Sequence, residues 1–268
     1  MKKQAVRVIA WLLVGVYLIL SIIGLILMKI TNTTPGDIAF PIPLFIISVI
    51  VIGIWPVVGA LIINYYPNHP VGWLLFATFP LSAIDMFAIG YSSYALSHPS
   101  LFRIPDVILL WLNWSGLPFV VLSLTILFLI FPTGNFLSSR WQIVAWTAAG
   151  ALGTYLCLQT IAPGSLSIFP KLDNPFATRE GVWNVLEPLY IAVICILIFC
   201  SLASLVSLIQ RLYRSQGDER QQVKWLLLPA ALFWIGLPIN LFPSLNADKT
   251  LLGIGIGIHL LAVPAIVV

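Results

Sequence analysis

The sequence predicts an all-α protein: a polytopic bundle of about eight transmembrane helices with both termini cytoplasmic. Three observations predict it. Of the 268 residues 60% are hydrophobic and 8% are charged, against about 25% charged in an ordinary soluble domain. The apolar residues fall in runs long enough to cross a hydrocarbon core about 30 Å thick, which takes roughly 20 residues of helix. The runs are apolar all round, whereas a membrane β-barrel would read as alternating segments of about 10 residues. A mean hydropathy of +1.04 also excludes disorder, which requires polarity and charge.

The first run, 8–28, follows Met1, Lys2, Lys3 and Arg7. It is longer than a secretory h-region and no small-x-small cleavage site precedes Thr31-Asn32-Thr33-Thr34, so it reads as an uncleaved first span. Runs 42–64 and 71–95 are separated by Pro67-Asn68-His69-Pro70; Ser97-His98-Pro99 follows the third run, and Pro132-Thr133-Gly134-Asn135 follows the fourth, 106–130. Each break mixes turn formers with polar groups. Runs 141–161 and 186–209 flank the longest loop, 162–185, which carries Pro163-Gly164, Asp173-Asn174-Pro175 and Arg179-Glu180-Gly181. Runs 223–243 and 250–268 complete the set, and the last ends as though cut, with no charged or aromatic boundary residue. No loop could hold a separate folded domain, so 1–268 is a single integral membrane domain. Pro56, Pro80, Pro118, Pro229, Pro238 and Pro264 lie within runs and predict bent helices.

Charge sets the orientation. With a cytoplasmic N-terminus, Lys2, Lys3, Arg7, Arg140, Arg211, Arg214, Arg220 and Lys224 lie inside, against Lys29, Arg103, Lys171, Arg179 and Lys249 outside, as the positive-inside rule requires. The net charge of +4 is therefore a membrane signature and not one of nucleic-acid binding. Trp11, Trp73, Trp141 and Trp225 fall at inner boundaries, at headgroup level. Cys157, Cys195 and Cys200 fall inside apolar runs and are expected to be small buried hydrophobes.

Few residues offer chemistry. Asp85 is the acidic residue near the middle of a run, where a charge costs about 3 kcal/mol on insertion scales, so it is expected to face the bundle interior. His259 follows Gly253-x-Gly255-x-Gly257, a small-residue packing face, and is a candidate proton-sensitive partner for Asp85. Asn113, between Trp111 and Trp114, is a candidate for a small ligand site open to the outside. No metal set, Walker loop, nucleophile elbow or carboxylate pair is present, so no enzyme activity, cofactor or metal is expected.

The most polar segment lies between the sixth and seventh runs. Arg211, Arg214, Glu219, Arg220, Gln221, Gln222, Lys224 and Trp225 crowd into it, with Gly217 placed to end one helix and Asp218 to cap the next. It reads as a solvated hairpin whose donors suit docking of a cytoplasmic helix or acidic headgroups.

Three motifs occur in order: Asn68-His69-Pro70-Val71-Gly72-Trp73-Leu74-Leu75; Leu129-Ile130-Phe131-Pro132-Thr133-Gly134 with Arg140-Trp141; and Gly217-Asp218-Glu219-Arg220-Gln221-Gln222-Val223-Lys224-Trp225-Leu226. Together they resemble the multi-pass membrane input region of bacterial two-component sensor histidine kinases, over most of the chain. The resemblance implies a sensory or anchoring role in the cytoplasmic (inner) membrane, relayed to a cytoplasmic kinase domain or response partner, with homodimerisation if the chain serves a kinase. The phosphorylatable histidine and ATP-binding domain of that family have no counterpart in these residues. The alternatives are a small transporter or channel-like protein, for which Asp85 with Pro80 is the pertinent feature, and a structural membrane assembly protein.

Overall fold

The computed structural model describes residues 2–31, 42–77, 79–98, 116–164 and 173–241. Among them the regular elements are helices: α1 (Lys2–Ile30), α2 (Ile42–Tyr65), α3 (Pro70–Ala77), α4 (Phe79–Ser97), α5 (Gly116–Ile130), α6 (Ser139–Ile161), α7 (Glu180–Arg214) and α8 (Gly217–Leu241). The all-helical expectation holds for these residues.

Helices α1 and α7 are long and apolar enough to cross a membrane. An 18-residue window within Gln4–Ile30 has a mean hydropathy of 2.7, and one within Glu180–Arg214 a mean of 2.8. Both turn large apolar side chains outward, among them Leu12, Ile19 and Ile22 on α1 and Val185, Phe199 and Val206 on α7. Of the eight expected spans, the described residues show two helices that combine that length with that apolarity. Run 71–95 is covered by α3 and α4, on either side of residue 78, which lies outside the described residues. The polar residues Gln142, Thr147, Thr154 and Gln159 interrupt α6, and α8 opens on charged residues. Run 250–268 lies outside the described residues.

The helices pack as two groups. In the first, α1 lies along α4 and beside α2, and α2 packs on α3; in the second, α7 packs on α6, α5 and α8. The α1–α4 crossing is made by glycine. A Cβ on Gly90 would overlap the backbone of Gly24, and one on Gly24 would fall 2.5 Å from the Met86 carbonyl oxygen, so the two backbones are in direct contact.

The main core joins the groups. Trp55 of α2, Val71 and Leu75 of α3, Leu127 and Phe128 of α5, Ala145 of α6, Leu208 of α7, and Val223 and Leu226 of α8 form one buried cluster. Within α5 and α7 a polar seam accompanies it: the hydroxyls of Thr125 and Ser201 lie 2.6 Å apart, and Ser204 donates to the Ser201 carbonyl at 2.6 Å. Ser201, Ser204, Ser207 and Arg211 are all buried on the inward stripe of α7, at the three- and four-residue spacing that keeps side chains on one helix face. Small side chains there let α5 approach closely.

Proline and cysteine placement refine the sequence expectations. Pro56 lies inside α2 as expected, and α7 carries Pro188 inside it as well. Only Cys200 of the cysteines is buried; Cys157 and Cys195 are exposed, because an apolar run that faces lipid need not face protein.

Candidate functional site: a polar junction at one end of the bundle

The three sequence motifs meet in space. The first begins where α2 ends. Trp73 donates its indole N–H to the Pro67 carbonyl at 2.7 Å, and the His69 amide donates to the Tyr66 carbonyl at 3.0 Å, closing the turn that launches α3. The second follows α5: the Phe131–Pro132 bond is cis, and the Gly134 amide donates to the Ile130 carbonyl at 2.8 Å. Gly134 sits at φ +77°, in the left-handed region that glycine enters without a steric cost. Its bare Cα also makes room for the first motif, since a Cβ there would lie 2.8 Å from Cδ of Pro70.

Arg211 clamps this turn from α7. Its Nη1 donates to Oγ1 of Thr133 at 2.8 Å, and its Nη2 donates to the carbonyls of Asn135 at 2.7 Å and Leu129 at 3.2 Å. The residue is only 4% exposed. This corrects its expected place in a solvated hairpin: the C-terminal carbonyls of α5 lack helical partners, and a guanidinium supplies several donors at once. Glu219, half-buried in the first turn of α8, adds a negative charge close enough to favour the guanidinium electrostatically. Two polar atoms, His69 Nδ1 and Arg211 Nε, are buried with no hydrogen-bond partner in this arrangement.

The link from α7 to α8 is short. The Ser215 amide donates to the Arg211 carbonyl at 2.8 Å, and Gly217 turns the chain at φ +55°. Gly217 and Asp218 both lie within α8, so Ser215, not Gly217, ends the preceding helix, and Asp218 stands in the first turn instead of at the cap. Along α8, Val223, Leu226 and Ala230 are buried in the core, while Arg220, Gln221, Gln222, Lys224 and Trp225 are exposed. Arg214 is also exposed, at the end of α7. The third motif is thus half core and half free polar face.

Of the other candidates, Asp85 does not join this junction. Asp85 lies half-buried on α4 and belongs to none of the core residues named above. Asn113 and His259 lie outside the described residues, so the pairing of Asp85 with His259 has no geometry to report. Among the described residues no cluster of His, Cys, Asp and Glu is arranged to hold a metal ion. Thr133, Asn135 and the serine stripe of α7 were not among the expected site residues. The available signal was Ser201-x-x-Ser204-x-x-Ser207 within an apolar helix, followed by Arg211 on the same stripe.

No family model, curated protein or solved structure matches the chain.

The junction is chemically a fastening. It ties the ends of α5 and α7 to the starts of α3 and α8, so a displacement of any one of these helices bears on the others.

Proposed function

We propose that the chain is the membrane-embedded sensory input module of a signal-transduction histidine kinase, or a relative of one, relaying a membrane or small-ligand signal to a cytoplasmic partner. The observation that supports it best is the meeting of the three motifs at one end of the bundle, with Arg211 holding the second to α7 and the third continuing into the exposed polar face of α8. Motifs far apart in sequence share one mechanical junction, as a relay requires.

In this reading the protein is a multi-pass resident of the bacterial cytoplasmic membrane, with the junction and both termini on the cytoplasmic side. Helices α1 and α7 supply bilayer-length spans, and the apolar helices α2 and α5 pack beside them. A signal shifts the population between two packings of the helices. The buried but unpartnered His69 Nδ1 and Arg211 Nε favour such a pair of states, because an alternative arrangement that satisfied them would gain back their desolvation cost. The outer face of α8 then presents Arg220, Gln221 and Lys224 to a kinase domain or response partner, in a homodimer if the partner is a kinase.

The test is a fusion of the chain to the cytoplasmic half of a histidine kinase, assayed for autophosphorylation in membrane vesicles. Replacing Arg220, Gln221 and Lys224 together by alanine is expected to leave membrane abundance unchanged and to alter the autophosphorylation rate severalfold, since these side chains are exposed and carry no core packing. An unchanged rate at equal abundance would remove the relay.

A further inference from the structure

We propose that the cleft between the start of α6 and the last turn of α7 binds a phosphate group, carried by an anionic phospholipid. The cleft has a volume of about 450 Å³ and is lined on α7 by Gln210 and Arg214, which flank Arg211 in the last turns of that helix. Arg140 of α6 and Arg214 of α7 line it from two helices, together with Ser138 and Gln210. Both arginines are exposed, and among the described residues neither has an ion pair. Two guanidinium groups beside one cleft repel each other until an anion sits between them, and planar forks of donors match phosphate oxygens. The Ser138 side chain makes no capping hydrogen bond with α6, so its hydroxyl is uncommitted, and Gln210 adds an amide donor one helical turn before Arg214.

The remaining walls favour a lipid as the carrier of that phosphate. Trp141, Leu137 and Val144 give the cleft an apolar side. Beyond it, Ile143 and Trp146 on α6 and Val206 and Ile209 on α7 are exposed, so the same two helices continue as apolar surface suited to acyl chains. A basic pocket between helices with a tryptophan at headgroup level has the chemistry that anionic headgroups select on the cytoplasmic side. The lipid source rests on the membrane reading; the phosphate site does not depend on the relay.

The experiment measures thermal unfolding of the full chain in zwitterionic detergent against added phosphatidylglycerol, phosphatidylcholine or sodium phosphate. Phosphatidylglycerol is expected to raise the midpoint at concentrations where the other two do not. Arg140→Gln with Arg214→Gln should keep the lipid-free midpoint and weaken the half-saturating phosphatidylglycerol concentration roughly 30-fold, as expected for two basic contacts near the surface. Arg140→Lys with Arg214→Lys keeps the charge and is expected to retain part of the effect. Equal protection by sodium phosphate, lost in the glutamine variant, upholds the phosphate site and moves its source to solution. Equal protection of wild type and glutamine variant by phosphatidylglycerol overturns it. Incorporation into phosphatidylcholine vesicles, scored separately, tests the membrane reading: a chain that incorporates but gains nothing from phosphatidylglycerol has lost only the site.

Discussion

Arg211 is expected to be a costly polar side chain to remove. Arg211→Met strips the turn after α5 of three charge-assisted hydrogen bonds and leaves two carbonyls and a threonine hydroxyl under-satisfied. A loss of about 2–4 kcal/mol is expected, readable as a lowered denaturation midpoint in detergent. Arg211→Lys keeps the charge but not the fork and is expected to lose roughly half as much. An Arg211→Met midpoint equal to wild type would mean that the clamp contributes nothing to stability. Gly134 is the matching backbone position. Gly134→Ala must hold an L side chain in the left-handed region, at a cost of about 1–2 kcal/mol, and press its Cβ on the Pro70 ring. Because the ring contact is shared, Gly134→Ala is expected to cost less in a Pro70→Ala background, a coupling that a double-mutant cycle measures. Sequence could flag Gly134 as a turn residue, and it did so through Pro-Thr-Gly-Asn. It could not flag the burial of Arg211, whose acceptors lie 76 to 82 residues earlier in the chain.

At the scale of elements, glycines in different helices are expected to respond with opposite signs. Gly90→Ala forces α4 away from α1, where the backbones touch at Gly24, and should destabilise the bundle by at least about 2 kcal/mol, in the manner of overpacking in a close-packed interior. Gly150→Ala and Gly153→Ala in α6 meet nothing within 4 Å and should each raise stability by about 0.5–1 kcal/mol through the restricted unfolded chain. Thermal midpoints of the three variants measured side by side check this; a Gly90→Ala protein as stable as Gly150→Ala would contradict the α1–α4 packing.

For the whole molecule, exposure of the cysteines separates a lipid-facing surface from a protein-facing one. In membranes, Cys157 and Cys195 are expected to react with a lipid-soluble maleimide and resist an impermeant one, while buried Cys200 reacts with neither until the protein is denatured. Rapid labelling of Cys157 and Cys195 by the impermeant reagent would place α6 and α7 in water. In a cysteine-free background, Asn68→Cys and Gln216→Cys lie at the junction end of the bundle, and Phe176→Cys lies beyond the opposite ends of α6 and α7. The first two are expected to label from one side of the membrane and the third from the other, with the junction pair on the cytoplasmic side in the proposed orientation. The charge count that suggested this orientation reads loops one at a time, so it says which end is inside without saying that the loops touch.

What the sequence determined by itself is what local interactions decide. Helical structure, the apolar length of α1 and α7, and the turns at Pro67–Pro70 and Pro132–Asn135 all follow from residues close in the chain, because hydropathy, proline geometry and turn chemistry act over a few positions. The tertiary structure decided the inward face of each helix. A helix that is apolar all round carries little amphipathic signal, so serines and an arginine on α7 announce a buried stripe only once α5 is against them. It also brought Pro70 to Gly134 and placed Arg140 and Arg214 beside one cleft. Those meetings depend on packing between segments remote in sequence, and no local pattern encodes them.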